Sequence, residues 1–123
     1  MSAEFPSVLI VDDDIDISTN VADILRDSGY RTDQAHSGES ALDLVAHSDY
    51  DVALLDFKMP DMDGATLYSQ IKKVQPKVVA IMITAYAGAD GVKRALDAGT
   101  WKVLRKPVDV HQLLEFIAEA TSM

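Results

Sequence analysis

Five short apolar runs alternate along the chain with stretches in which apolar residues recur every three or four positions. A short apolar run bounded by turn signals predicts a buried β-strand, and the wider spacing predicts an amphipathic helix. We predict strands at residues 7–11, 30–35, 51–56, 77–83 and 101–105. Strands that alternate with helices favour a doubly wound α/β fold, in which helices cover both faces of a parallel sheet.

The intervening stretches predict five helices, the first stopping at Gly29 and the last capped by Asp109. The fourth is expected around residues 90–98. The inward-facing residues predicted for the other helices are Ile17, Val21, Ile24 and Leu25; Ala41, Leu42, Leu44 and Val45; Leu67, Tyr68 and Ile71; and Leu113, Leu114 and Ile117. The second strand is the most polar and suits an edge, and right-handed crossovers leave few topologies, so we expect strand order 2-1-3-4-5.

Four of the five predicted strands lead into chemically functional residues. Asp12 and Asp13 follow the first strand, Asp56 ends the third, Thr84 follows the fourth and Lys106 follows the fifth. The carboxyl ends of parallel strands share one sheet edge, so these residues are expected to converge in one cleft. A carboxylate there is a ligand, a nucleophile or a helix cap, and the acidic run by itself fits a solvated turn equally well.

Electrostatics restricts what such a cleft binds. Two carboxylates about 4 Å apart repel by about 4 kcal/mol at an effective dielectric constant of 20, and one lysine cannot balance three of them. A divalent cation can, and carboxylate oxygens at a partly solvated site favour Mg²⁺, with Mn²⁺ as the alternative, over zinc. A carboxylate beside such a cation, a lysine and a hydroxyl is suited to attack phosphorus.

Composition narrows the classes of function. The formal net charge of −9 repels nucleic-acid phosphates and anionic lipids, so we expect no direct nucleic-acid or membrane binding. The absence of cysteine excludes disulfides and thiol catalysis. We expect a cytoplasmic protein with one domain over residues 1–123 and a flexible segment at residues 1–6. His36, His47 and His111 lack the spacing of metal ligands and are expected at the surface.

Motifs along nearly the whole chain resemble those of the receiver (CheY-like) domain of two-component response regulators. They are Val11-Asp12-Asp13, Leu55-Asp56-x-x-Met59-Pro60-x-Met62-Asp63-Gly64, Thr84-Ala85, Ala98-Gly99 and Lys106-Pro107. The resemblance implies a flavodoxin-like fold in which Asp56 is the phosphoacceptor. It also implies that Thr84 is the switch hydroxyl and Lys106 the phosphate-binding ammonium.

The same resemblance implies a metal site and a cis peptide bond. Asp13 and Asp56 would bind Mg²⁺ directly, Asp12 largely through water, and the backbone carbonyl of Lys58 would be the third protein ligand. The bond between Lys106 and Pro107 is expected to be cis.

The resemblance further implies the partners of the domain. The donor would be the phosphohistidine of a sensor histidine kinase or a histidine phosphotransfer protein. Phosphorylation would change the face formed by the fourth helix, fifth strand and fifth helix, which would signal to an output domain or effector and allows a homodimer. Such a domain catalyses only its own phosphorylation and slow dephosphorylation. Lys58 and Tyr86 flank the site, and we expect them to shield the phosphoryl group from water and so to slow its hydrolysis.

One position departs from the family pattern, and two other classes of function compete. Val103 stands where the family usually carries an aromatic switch residue, and Tyr86 or Trp101 are the candidates to replace it.

The spacing Asp12-x-Asp14 also resembles the nucleophile motif of haloacid-dehalogenase-type phosphatases, although no acidic pair follows Lys106. The third class is a pseudo-receiver, a module that only mediates interactions.

Overall fold

A computed structural model describes residues 5–85 and 88–122, with the backbone alone at residue 89. Within this part of the chain, five strands alternate with five helices. The strands are β1 (Ser7–Val11), β2 (Arg31–Ala35), β3 (Val52–Asp56), β4 (Val79–Thr84) and β5 (Lys102–Arg105). The helices are α1 (Ile15–Asp27), α2 (Gly38–His47), α3 (Gly64–Val74), α4 (Ala89–Asp97) and α5 (Val110–Thr121).

The five strands form one parallel sheet in the order β2-β1-β3-β4-β5. The predicted fold class and strand order are therefore confirmed. β3 lies at the centre and is buried at all five positions. The polar strand β2 lies at an edge, as its composition predicted.

Two apolar layers cover the two faces of the sheet. Successive residues of the central strands alternate between them: Leu9, Ala53 and Met82 face the layer of α2, α3 and α4. Val8, Leu54 and Ile81 face the layer of α1 and α5. This alternation explains why the central strands read as continuous apolar runs in the sequence.

All five strands lie where the sequence predicts them, but the first residues of four strands were predicted too early. The predicted starts at residues 30, 51, 77 and 101 are wrong by one or two positions. At residue 51 the difference is one of definition, because the Asp51 N–H donates to the Ser7 carbonyl at 2.9 Å and its carbonyl accepts from the Val79 N–H at 3.1 Å, so backbone pairing extends to this residue.

The predicted inward faces of the helices are buried only in part, since Leu42, Leu44 and Leu114 are half-buried, and the face of α1 differs most. On α1 the fully buried residues are Ser18, Ala22 and Leu25, whereas Ile17, Val21 and Ile24 are half-buried. The buried Ser18 hydroxyl is satisfied by donating to Gln34 Oε1 at 2.8 Å. A buried serine gives no apolar signal, so the sequence pattern missed it.

Candidate functional site

The carboxyl ends of β1, β3, β4 and β5 bring the predicted site residues to one edge of the sheet. Asp56 and Thr84 are the last residues of their strands, and Asp12 and Lys106 directly follow theirs. Asp12 and Asp56 are each 6% exposed and Thr84 is 2% exposed. Backbone pairing continues past the end of β5, because the Lys106 N–H donates to the Thr84 carbonyl at 2.9 Å. The predicted convergence is therefore observed.

Lys106 bridges the two buried carboxylates. Its Nζ lies 2.7 Å from Asp12 Oδ2 and 3.4 Å from Asp56 Oδ2. Backbone amides bind the other oxygens: the Asp14 N–H donates to Asp12 Oδ1 at 2.9 Å, and the Lys58 N–H donates to Asp56 Oδ1 at 3.4 Å. Both carboxylates are thus fixed in direction by groups on two sides.

Asp13 completes an acidic cluster with these two residues. Asp12, Asp13 and Asp56 each offer a carboxylate oxygen, and the three oxygens lie within 4.8 Å of one another. Asp13 is exposed, so the cluster opens to solvent on its side. Three ionised carboxylates beside one ammonium leave about two negative charges uncompensated, which fits a divalent cation with oxygen ligands.

The pocket shifts the proton affinity of both its acid and its base. Burial and the nearby Asp12 charge raise the pKa of Asp56 from 3.8 to about 6, although Lys106 acts in the opposite direction. Burial alone lowers the pKa of Lys106, but its hydrogen bond to Asp12 and the charge of Asp56 outweigh this and raise it. The lysine is therefore charged at neutral pH, and ionisation of Asp56 is unfavourable in the folded protein.

Other predicted residues have structural roles close to the site. Asp14 caps α1 by accepting from the Ile17 N–H at 3.1 Å, and Asp63 caps α3 by accepting from the Thr66 N–H at 2.8 Å. The bond between Lys106 and Pro107 is cis, as expected. The Lys58 side chain is exposed.

The structure tests one of the two residues suggested as aromatic replacements at the position of Val103. Trp101 belongs to the layer of α1 and α5, where its ring meets Phe116 edge-on at 5.8 Å between centroids. Val103 packs in the opposite layer, so the suggestion that Trp101 replaces the missing ring is wrong. Tyr86 lies outside the described residues.

Two features near the site were missed from the sequence. Asp61 accepts from the Gly38 and Glu39 N–H groups at 3.1 and 3.0 Å, so the loop after β3 caps α2. Arg94 of α4 reaches Asp63 at 2.6 Å. Both contacts join residues more than 20 positions apart, and no local pattern signals them.

The histidines are exposed at positions 36, 47 and 111, as predicted. None of the described helices is long and apolar enough to cross a bilayer.

A doubly wound α/β domain with an acidic cluster and a bridging lysine at this edge defines a class of signalling domains. The chain belongs to the response regulator receiver domain family, whose model matches residues 8–118. Members of this family are signalling domains of two-component systems rather than classical enzymes, and they bind divalent metal in an acidic pocket.

Individual relatives agree with this assignment. The transcriptional regulatory protein ZraR of Klebsiella oxytoca is 37% identical over 98% of this chain, which spans about a quarter (27%) of that protein. A CheY-like receiver domain protein from Methanospirillum hungatei has a TM-score of 0.91 and 34% identity, over 94% of this chain and 93% of that one. A response regulator from Burkholderia pseudomallei, with a phosphorylated aspartic acid and a calcium ion, has a TM-score of 0.84 and 25% identity, over 93% and 72% of the two chains.

Proposed function

We propose that residues 1–123 act as one phosphoacceptor module in which Asp56 receives a phosphoryl group from a phosphohistidine. The donor is a sensor histidine kinase or a histidine phosphotransfer protein. The observation that carries the proposal is the contact of Lys106 with two buried carboxylates, one of which ends the central strand. The phosphorylated aspartic acid of the Burkholderia pseudomallei regulator supports the same chemistry here.

The chemistry follows from the groups around Asp56. An ionised Asp56 oxygen attacks phosphorus, the O–P bond forms, and the P–N bond to the donor histidine breaks. Lys106 lies where its ammonium stabilises charge on the phosphoryl oxygens, and Thr84 donates a hydrogen bond to one of them. With a pKa of about 6, Asp56 is mostly ionised at neutral pH, and a nearby positive charge would lower this pKa and extend the attacking, ionised form to lower pH.

The acidic cluster fits Mg²⁺, with Mn²⁺ as the alternative. Asp13 and Asp56 would bind it directly, Asp12 largely through water, and the Lys58 carbonyl would be a further ligand. When bound, the cation supplies positive charge that offsets the carboxylates and the incoming phosphoryl oxygens. The exposed side of the cluster at Asp13 leaves room for the water ligands that Mg²⁺ retains.

The output of the module is a change of the face formed by α4, β5 and α5. Thr84 moves toward the phosphoryl group and biases this face between two packings. Gly88 at the start of α4 offers no side-chain cap, which suits a helix that shifts. An output domain, a separate effector or a second copy of the chain would read this face.

The proposal is tested by phosphorylation with acetyl phosphate and Mg²⁺. Intact-mass spectrometry is expected to detect one added phosphoryl group on the wild-type protein and on Asp14→Asn, and none on Asp56→Asn. Asparagine at position 14 keeps the helix cap, so this variant controls for an acidic residue close to the pocket. Labelling of Asp56→Asn, or steady phosphatase turnover that requires Asp12 instead, would contradict the proposal.

Metal binding gives a second prediction. Asp13→Asn is expected to weaken Mg²⁺ binding at least about tenfold, because one anionic ligand of the cluster is lost. Isothermal titration calorimetry measures the change, again with Asp14→Asn as the matched control, since the Asp14 carboxylate caps α1. Equal affinities of the Asp13→Asn protein and the wild type would remove Asp13 from the ligand set.

A further inference from the structure

A narrow gap lies beside Val103, at the position where receiver domains commonly carry a ring. Phe57, Thr84, Val103 and residues of α4 line it, and it has no room for a water molecule. A gap of this kind forfeits packing contacts on the groups around it. A neighbouring side chain that enters the gap would regain those contacts, and the ring of Phe57 is already at its border.

Phe57 is covalently next to the phosphoacceptor and touches α4. The ring is half-buried and packs with the layer of α2, α3 and α4. A Cβ placed on Gly91 would lie 3.5–4.0 Å from three atoms of this ring, so the backbone of α4 passes close to it. Any displacement of the backbone at Asp56 is therefore transmitted to a ring that contacts α4.

Arg94 fastens the same part of α4 to the loop that follows Phe57. Its Cζ lies 5.7 Å from the centroid of the Phe57 ring, and its Nη1 lies 2.6 Å from Asp63 Oδ2. Asp63 is itself fixed, because it caps α3. The guanidinium thus holds α4 over the ring in the arrangement observed here.

We propose that Phe57 is the positioning residue that couples Asp56 to α4, in the role that Val103 cannot fill, and that the Arg94–Asp63 pair holds α4 in the unphosphorylated arrangement. The inference rests on the proposed function, since it describes how phosphorylation is transmitted. Thr84 lines the gap, so its movement toward the phosphoryl group widens it. The Phe57 ring turns into that space, and α4 loses the surface on which Arg94 rests.

The experiment uses beryllofluoride with Mg²⁺ as a mimic of the phosphoryl group and records amide shifts by nuclear magnetic resonance. In the wild-type protein we expect shifts at the pocket, at Thr84 and Lys106, and on α4, at Val92 and Ala95. In Phe57→Leu, which keeps apolar volume but lacks the ring, we expect the pocket shifts to remain and the α4 shifts to fall by at least half. Tyr30→Leu removes a half-buried ring from the opposite layer, outside α4, β5 and α5, and is expected to respond like the wild type.

A second pair of variants tests the holding contact without touching the core. Arg94→Gln cuts a partly exposed ion pair, and the usual strength of an exposed pair corresponds to about 1.4- to 5-fold in affinity. We expect beryllofluoride to bind Arg94→Gln tighter by this factor, and the free α4 amides to move toward their bound positions. Lys93→Gln, one position earlier and paired with the exposed Asp97, is expected to match the wild type.

The two proposals fail in different ways. Absence of pocket shifts in the wild-type protein would overturn the proposed function. Normal pocket and α4 shifts in Phe57→Leu, or unchanged beryllofluoride affinity in Arg94→Gln, would leave that function intact and overturn the coupling inferred here.

Discussion

An Asp56→Asn variant is expected to be more stable than the wild-type protein at pH 7 without divalent metal, by about 2–3 kcal/mol in the free energy of unfolding. Burial, and then repulsion by Asp12, raises the pKa of Asp56 from 3.8 to about 6 against the attraction of Lys106. The ionised form therefore destabilises the fold, at about 1.4 kcal/mol for each pKa unit. Asparagine keeps the shape of the side chain and carries no charge.

The sign of the pH dependence follows from the direction of this shift. Below pH 3.8 the carboxyl of Asp56 is protonated in both the folded and unfolded states, so the two proteins converge in stability. As the pH rises from 3.8 through 6, the folded state loses a proton that it held more tightly, and the wild type loses stability relative to the variant.

Urea unfolding at a series of pH values, in EDTA, measures this difference. Asp43→Asn, on the exposed side of α2, is the control and is expected to stay within about 0.5 kcal/mol of the wild type. Added Mg²⁺ is expected to stabilise the wild type more than Asp56→Asn, and so to reduce the difference in the free energy of unfolding between the two proteins. A variant no more stable than the wild type at pH 7 would show that Lys106 fully offsets burial and the Asp12 charge.

The sequence predicts that Asp12, Asp56 and Lys106 meet at one edge of the sheet, because this meeting depends only on the order of the strands and on where each strand ends. Asp56 follows four apolar residues of the central strand, and Lys106 precedes a proline that ends the last strand. Parallel pairing then brings them to the same edge, whatever the loops do. The sequence could not say that Lys106 would lie closer to Asp12 than to Asp56, since this depends on side-chain directions after the strands end.

Contacts made by loops and helix surfaces were the part that sequence patterns did not predict. The Arg94 guanidinium reaches Asp63 only because α3 and α4 pack side by side, and Asp61 caps α2 only because the loop after β3 folds across it. Periodicity reports which face of an element is apolar. It does not report which polar side chains of separate elements meet, and in this protein those contacts involve the loop after β3.

The burial of β3 explains how Asp56 keeps its place although its negative charge is unfavourable there. Asp56 belongs to a strand that is buried along its whole length, so its backbone is held by apolar packing and ladder hydrogen bonds rather than by the charges. The carboxylate keeps its position although ionisation is unfavourable there. Apolar packing of the strand thus keeps in place a carboxylate whose negative charge is unfavourable there.

A Gly64→Ala variant is expected to lose about 2–3 kcal/mol of stability, because the loop after β3 returns to the strand at this glycine. Its N–H donates to the Phe57 carbonyl at 2.7 Å. A Cβ there would lie 2.6 Å from Met82 Sδ and 2.7 Å from the Asp56 carbonyl oxygen. The methionine can rotate, but the carbonyl cannot move without displacing the end of β3 and the proposed phosphoacceptor, Asp56, with it.

Gly91→Ala is the matched control, and the comparison isolates steric overlap from the general effect of removing a glycine. A Cβ at Gly91 meets only ordinary contacts, at 3.5–4.0 Å from the Phe57 ring. Since Gly91 lies within α4, alanine is expected to gain about 0.5–1 kcal/mol there through its helix propensity. Urea unfolding of both variants at neutral pH gives the two values. Similar stabilities for the two would show that the end of β3 yields to a methyl group, and that apolar packing does not fix the Asp56 backbone as tightly as its burial indicates.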